Sequence, residues 1–181
     1  MSTVPLAPLF LERSRYYLGV EYPAKIAAAI RSMPSDHLWW RPNPVANSAG
    51  NLVLHLAGNV RQWVVSGIGG APDTRQRDEE FARTGGWDAE TLLTHLHGAV
   101  HDADTVLEAL DPSTLGAMRR IQGRETTVFS ALYHVVEHFA GHTGQLILLA
   151  KQFTPGAVQF YEDAGGLAKP RFLPEGMSDI A

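Results

Sequence analysis

Four long segments of helical periodicity, and no stretch that alternates as a strand must, restrict this chain to a helical architecture. The first covers residues 7–33 and is rich in Leu, Tyr, Ala and Ile at helical spacing. Pro23 lies inside it, which predicts a kink or break near Tyr22. The second starts at Asn47 or Ser48, either a suitable N-cap, and runs to about residue 68, where Gly67-Ile68-Gly69-Gly70-Ala71-Pro72 stops it. The third is capped by Asp88 and ends near Leu110; Glu90 lies in its first turn, where the helix dipole favours an anion. The fourth is capped by Thr126 or Thr127 and runs to about Phe153, before Thr154-Pro155-Gly156.

The connections read less clearly. Trp39 to Ala46 holds two prolines and an asparagine and is not helical; its paired tryptophans are expected to pack beneath it. Residues 73–86 are charged and read as an exposed loop with a short helical turn around 78–83. Residues 111–125 form a connection with two glycines and three arginines. Beyond 156 the periodicity is weak, and a short helix followed by an extended tail is expected. The pattern predicts an all-α, antiparallel four-helix bundle over residues 1–153, with 154–181 as an irregular extension packed on the same domain.

At 181 residues the chain is long enough to bury roughly 70% of its unfolded surface without staples. It has no cysteine, so a transition metal would have to be held by His, Asp or Glu. A net charge of -4 argues against a nucleic-acid surface. The N-terminal residues lack the layout of a signal peptide, and no apolar run is long enough to span a bilayer, so a cytoplasmic location away from membranes is expected.

Within the fourth helix, His134, His138 and His142 recur every four residues and form one stripe. On a wheel of about 100° per residue the stripe borders the apolar face of Leu132, Val135, Phe139 and Leu146. Gln145 falls inside it. In the second helix His55, Asn59 and Gln62 form a similar stripe beside Leu52, Leu56, Val60 and Trp63. In the third helix His97 and His101 are also one turn apart, but they fall with Glu90, Asp104 and Glu108 on the polar side. His37 reads as surface, and His95 is ambiguous.

A histidine beside an apolar face is ordinarily a core residue satisfied by a hydrogen bond. Three in one stripe leave several ring nitrogens needing partners where water is scarce, and a metal ion would satisfy them. The segment His134-Val135-Val136-Glu137-His138 also fits an inverted zincin pattern, with Glu137 as base. That pattern leaves His142 unexplained, and the wheel turns Glu137 outward. Periodicity alone leaves the pairs His134/His138 and His138/His142 both open.

Three stretches carry a resemblance: Trp40-Arg41-Pro42-Asn43-Pro44 leading to Asn47-Ser48, Gly50-Asn51-Leu52-Val53-Leu54-His55-Leu56-Ala57-Gly58-Asn59, and His134 through Gln145. Together they resemble the DinB-like family of helical metal-binding proteins over about residues 10–153. The resemblance implies a four-helix bundle, often dimeric, with three histidines around one divalent ion. Carried over residue by residue, the ligands are His55, His138 and His142. His134 becomes an additional residue, a substitute ligand, a residue behind the ligands or a packed core residue, and Asn59, Gln62 and Gln145 are candidates to orient the imidazoles. At Thr143, where many members carry Arg, this sequence departs from the pattern.

Three ligands leave a coordination position open, the form of catalytic rather than structural zinc. The expectation is a metal-dependent enzyme acting on a small molecule: a thiol S-transferase using a low-molecular-weight thiol, or a hydrolase. The ion expected is zinc or nickel, with iron or copper next. The alternative is a dimeric metal-binding bundle without catalysis, acting as a stress or interaction protein.

Overall fold

The computed structural model describes residues 4–163, 165–166 and 168–173. Helix α1, Leu6–Tyr16, runs without a break through a π-helical segment, Tyr17–Glu21, into α2, Tyr22–Ser32. Of the kink or break expected near Tyr22, the helix shows no break but a local π-helical irregularity. Proline lacks the N–H that would continue the ladder and crowds the carbonyl four residues back. The chain answers by widening just before Pro23, where the Tyr22 N–H donates to the Tyr17 carbonyl five residues earlier.

Helix α3, Ala49–Val60, begins at Ser48, whose side chain and that of Asn51 cap one another's backbone. It also continues as a π-helical segment, Arg61–Ile68. The short α4, Arg77–Ala82, follows in the connection to α5, Ala89–Glu108. Asp88 caps α5 by accepting from the Thr91 N–H at 2.8 Å. Thr127 caps α6, Val128–Phe153, by accepting from the Ser130 N–H at 3.1 Å.

The helices pack with α3 against α5 and α6, and α2 against α6 and α5. Phe139, Leu132 and Leu146 of α6 meet Leu56 and Val60 of α3, Leu92 and Leu96 of α5, and Ile26 and Ile30 of α2 in one buried cluster. Nearly every α3 side chain is buried, His55 included. The helical architecture is therefore as the periodicity predicts, with α3 in the interior.

Two features were not expected. Residues 118–127 form a hairpin, β1 Met118–Ile121 with β2 Arg124–Thr127, in antiparallel register with Ile121 opposite Arg124. Its two turn residues, Gln122 and Gly123, have φ of 51° and 76°. Positive φ at both positions is the tight hairpin turn whose twist suits antiparallel strands, and glycine takes it without steric cost. Strands of four residues are too short to display an alternating pattern. A second hairpin, β3 Tyr161–Asp163 with β4 Ala168–Pro170, replaces the short helix expected after residue 156. Val158 just before it is buried in the core, and Lys25 of α2 lies 4.5 Å from the Phe172 ring centroid. The rest of the expected tail, residues 174–181, lies outside the described residues.

The tryptophan pair divides. Trp39 packs against the core and donates its Nε1–H to the Trp87 carbonyl at 2.9 Å. Trp40 stays 40% exposed and rests edge-on against Phe153. Among the described residues no helix is long and apolar enough to cross a membrane.

Candidate metal centre

Helix α3 brings His55 to α6, where His138 and His142 stand one turn apart. One ring nitrogen from each of the three comes within 4.8 Å of the other two. The Nε2 atoms of His55 and His138 are 2.9 Å apart, and the His55 ring centroid lies 5.2 Å from that of His142. His55 is buried and the α6 pair is half-buried.

The remaining nitrogens of two rings are anchored. His55 Nδ1 lies 3.0 Å from Glu80 Oε2 and 3.0 Å from Arg75 Nη2. The carboxylate decides the tautomer, since it accepts only and a lone pair on Nδ1 would face it, whereas Arg75 Nη2 has other acceptors in Glu80 Oε2 and the His55 carbonyl. Nδ1 therefore carries the proton and Nε2 the free pair. His142 Nδ1 lies 2.8 Å from Gln145 Oε1, which again assigns the proton to Nδ1. Fixing one ring nitrogen so that the other is free is how neighbouring side chains prepare imidazoles for a metal.

Burial pushes His138 down to about 3, with the neighbouring histidines and Arg75 adding to the effect. Burial also lowers His142, against the opposing effect of its hydrogen bond to Gln145. Neutral imidazoles at physiological pH keep their lone pairs, as ligands must. The donor set, its convergence and its tautomers all fit a divalent ion, so the three-histidine cluster is able to hold one.

Glu80 and Arg75 come from the connection that reads as an exposed loop. The α4 turn is where the sequence predicts it, but these two side chains are only 11% and 4% exposed. Arg75 grips Glu80 through Nε to Oε1 and Nη2 to Oε2, both at 2.7 Å. Burial works against the Glu80 carboxylate, but Arg75 and His55 outweigh it and hold its pKa below the usual range. The pair lies directly over α3 because residue 58 is glycine. A β-carbon there would overlap Glu80 Oε1 and stand 2.9 Å from Arg75 Nε. From the other side, Asn51 Nδ2 donates to the Glu80 and Arg83 carbonyls, each at 2.8 Å, and Arg41 donates to those of Phe81 and Arg83.

The other candidates separate by position. His134 stands against Trp63, 4.3 Å between ring centroids, and outside the convergent three. Asn59 is buried beside His55, and its Oδ1 has no partner among the described residues. Gln62 leaves the histidine stripe. It lies in the π-helical segment, whose wider turn breaks the 3.6-residue register, and it bonds Arg75, Asp73 and Gln122 instead. Thr143 is buried, and its hydroxyl has no partner among the described residues. Glu137 is exposed, as are His97 and His101. His95 is half-buried against Trp87, and burial lowers its pKa.

The sequence reading missed Glu80, Arg75, Gln122 and Arg124. The last two arrive on the β1–β2 hairpin and line, with Arg75, a cavity of about 390 Å³ beside His55 and His138. A second cavity of about 370 Å³ opens along α6 between His134 and Gln145.

A family model described as "Protein of unknown function (DUF1572)" matches residues 7–161. No curated protein matches the chain. The crystal structure of a DinB-like protein from Bacillus subtilis is similar, with 19% identity and a TM-score of 0.62 over 83% of this chain and 97% of that one. A likeness at that identity speaks for the fold. With the family model spanning all four helices, the chain belongs to the DUF1572 family and has the DinB-like fold.

Proposed function

We propose that this protein is a metal-dependent enzyme acting on a small molecule, with His55, His138 and His142 as ligands to one zinc or nickel ion. The observation that carries the reading is the convergence of three imidazoles, two of them oriented from behind by Glu80 and Gln145. Such an ion supplies Lewis acidity to a water or thiol substrate brought to its open position. The protein's own part is to hold and to exclude. Glu80 keeps the His55 proton on Nδ1, and Phe81, 4.8 Å from the His55 ring, screens that side from water. The adjoining cavity gives a substrate a place beside the imidazoles.

With no cysteine in the chain, a thiol nucleophile would have to be external. Among the described residues no carboxylate lines either cavity except Glu137, which lies on the outer side of α6. Both points favour thiol S-transfer or hydrolysis driven by the ion over acid–base catalysis by side chains.

Metal analysis of tag-free protein tests the site. One zinc or nickel per wild-type chain is expected, and His138→Ala should lose it. Absence of stoichiometric metal from both proteins would end the reading. Activity is tested by pairing low-molecular-weight thiols with small electrophiles; rates that survive chelation would remove the enzyme and leave a binding protein.

A further inference from the structure

The cavity of about 390 Å³ beside His55 and His138 is lined by three arginines and, among the described residues, no carboxylate. That is unusual in a chain whose net charge is -4. Arg75 is spent on Glu80. Arg77 has its guanidinium 4.9 Å from the Phe81 ring centroid and no acidic partner among the described residues. The Arg124 side chain has neither a hydrogen bond nor an ion pair among them. Glu125, its neighbour in β2, stands opposite Arg120 across the hairpin and on the other face of the strand. Two unneutralised guanidiniums thus reach the mouth of one cavity from separate elements, α4 and the hairpin.

Their delivery looks built. The Gln122-Gly123 turn sets Arg124 next to the buried Ile121, and Gln122 Nε2 donates to Gln62 Oε1, which also accepts from Arg75. The hairpin is therefore hydrogen-bonded to the same network that holds Glu80. Asn59, 3% exposed, lines the floor with an unpartnered Oδ1, leaving an acceptor for a donor group. A planar guanidinium pairs with the two oxygens of a carboxylate or phosphate and offers little to a neutral molecule.

We propose that this cavity seats the oxyanion of a small substrate, a carboxylate or phosphate, between Arg77 and Arg124 beside His55 and His138. The inference rests on the proposed function and narrows its substrate class to anionic molecules.

The test titrates succinate, inorganic phosphate and neutral succinamide by calorimetry, at low ionic strength because both arginines are exposed. Wild-type protein and the Arg77→Gln/Arg124→Gln double variant are compared, each metal-free and zinc-loaded. Succinate or phosphate should bind wild type about ten-fold or more tightly than the variant in both metal states. Succinamide should bind neither. Whichever probe shows the loss names the headgroup. Equal anion affinities in the two proteins, or no saturable anion binding to wild type, would overturn the inference. If zinc stoichiometry is intact in such a result, only the anion site fails; if wild type holds no zinc, the proposed function fails with it.

Discussion

Gly58→Ala is the perturbation that separates a positioned site from an accidental cluster. The added methyl would overlap Glu80 Oε1 and stand 2.8 Å from Glu80 Cδ. Glu80 must then leave α3, taking with it the bond to His55 Nδ1 and the grip of Arg75. Two effects oppose each other in the metal-free protein. Alanine for glycine inside a helix gains about 1 kcal/mol. Overpacking against the buried ion pair costs about 1–3 kcal/mol. The expected net change is a small destabilisation. Zinc affinity should fall far more visibly. Loss of a carboxylate that orients a ligand imidazole weakens metal binding about 10–100-fold, or roughly 1.4–2.7 kcal/mol.

The assay is zinc competition against a chromophoric chelator, run beside urea melts of metal-free protein. A double-mutant cycle supplies the mechanism. Removing Glu80 alone would strand the buried Arg75 charge, so the second arm is Arg75→Met/Glu80→Ala. In that background Gly58→Ala should stabilise the protein by about 1 kcal/mol and leave zinc affinity untouched, a change of sign that a coupling energy of about 1 kcal/mol or more records. Wild-type zinc affinity in Gly58→Ala, with the full helix-propensity gain, would refute the claim that the Glu80–Arg75 pair seats His55.

Acid should destabilise the metal-free protein earlier than carboxylate protonation alone predicts. His138 titrates near 3 when folded against an ordinary 6.5, so between those values the unfolded chain binds the proton first. Stability then rises with pH through that window, is complete above it, and is lost as pH falls from about 6.5. The depressed Glu80 carboxylate adds a further loss below its ordinary 4.5. Urea midpoints that stay level from about pH 7.5 down to about pH 5 would contradict this. His134→Ala should keep one zinc per chain and lose about 0.5–1.5 kcal/mol of stability with its contact on Trp63. Loss of zinc stoichiometry in that variant would return His134 to the ligand set.

The helices and their histidines were legible because both follow one period. His55, His138 and His142 lie on faces that 3.6-residue spacing exposes to inspection, and the same spacing turned His97 and His101 outward, where they are. Choosing His142 over His134 needed the family resemblance, because the two differ by one turn and the partner helix decides which of them it meets. Gln62 shows where the wheel stops working. The π-helical segment after Val60 shifts every later residue, and nothing in Arg61 to Ile68 announces that shift. Glu80, Arg75 and Arg124 were illegible for another reason. They reach the site from a six-residue helix, the loop before it and a hairpin, segments too short for a period to show, and their placement is set by what they fold against.

The residues that carry the family resemblance outside the histidines then acquire a physical meaning. Arg41 and Asn51 touch no imidazole. Both donate to the Arg83 carbonyl, and between them they also take the carbonyls of Glu80 and Phe81. They strap the end of α4 to the start of α3, and Gly58 leaves the space into which Glu80 is then pressed. Leu52 and Leu56 hold α3 in the core, so the strap, the space and His55 belong to one rigid element. Loosening the strap at Arg41 should therefore act on His55 through Glu80, although Arg41 itself lies outside the cluster. The histidines are the visible part of a site whose geometry is held by the polar residues around them.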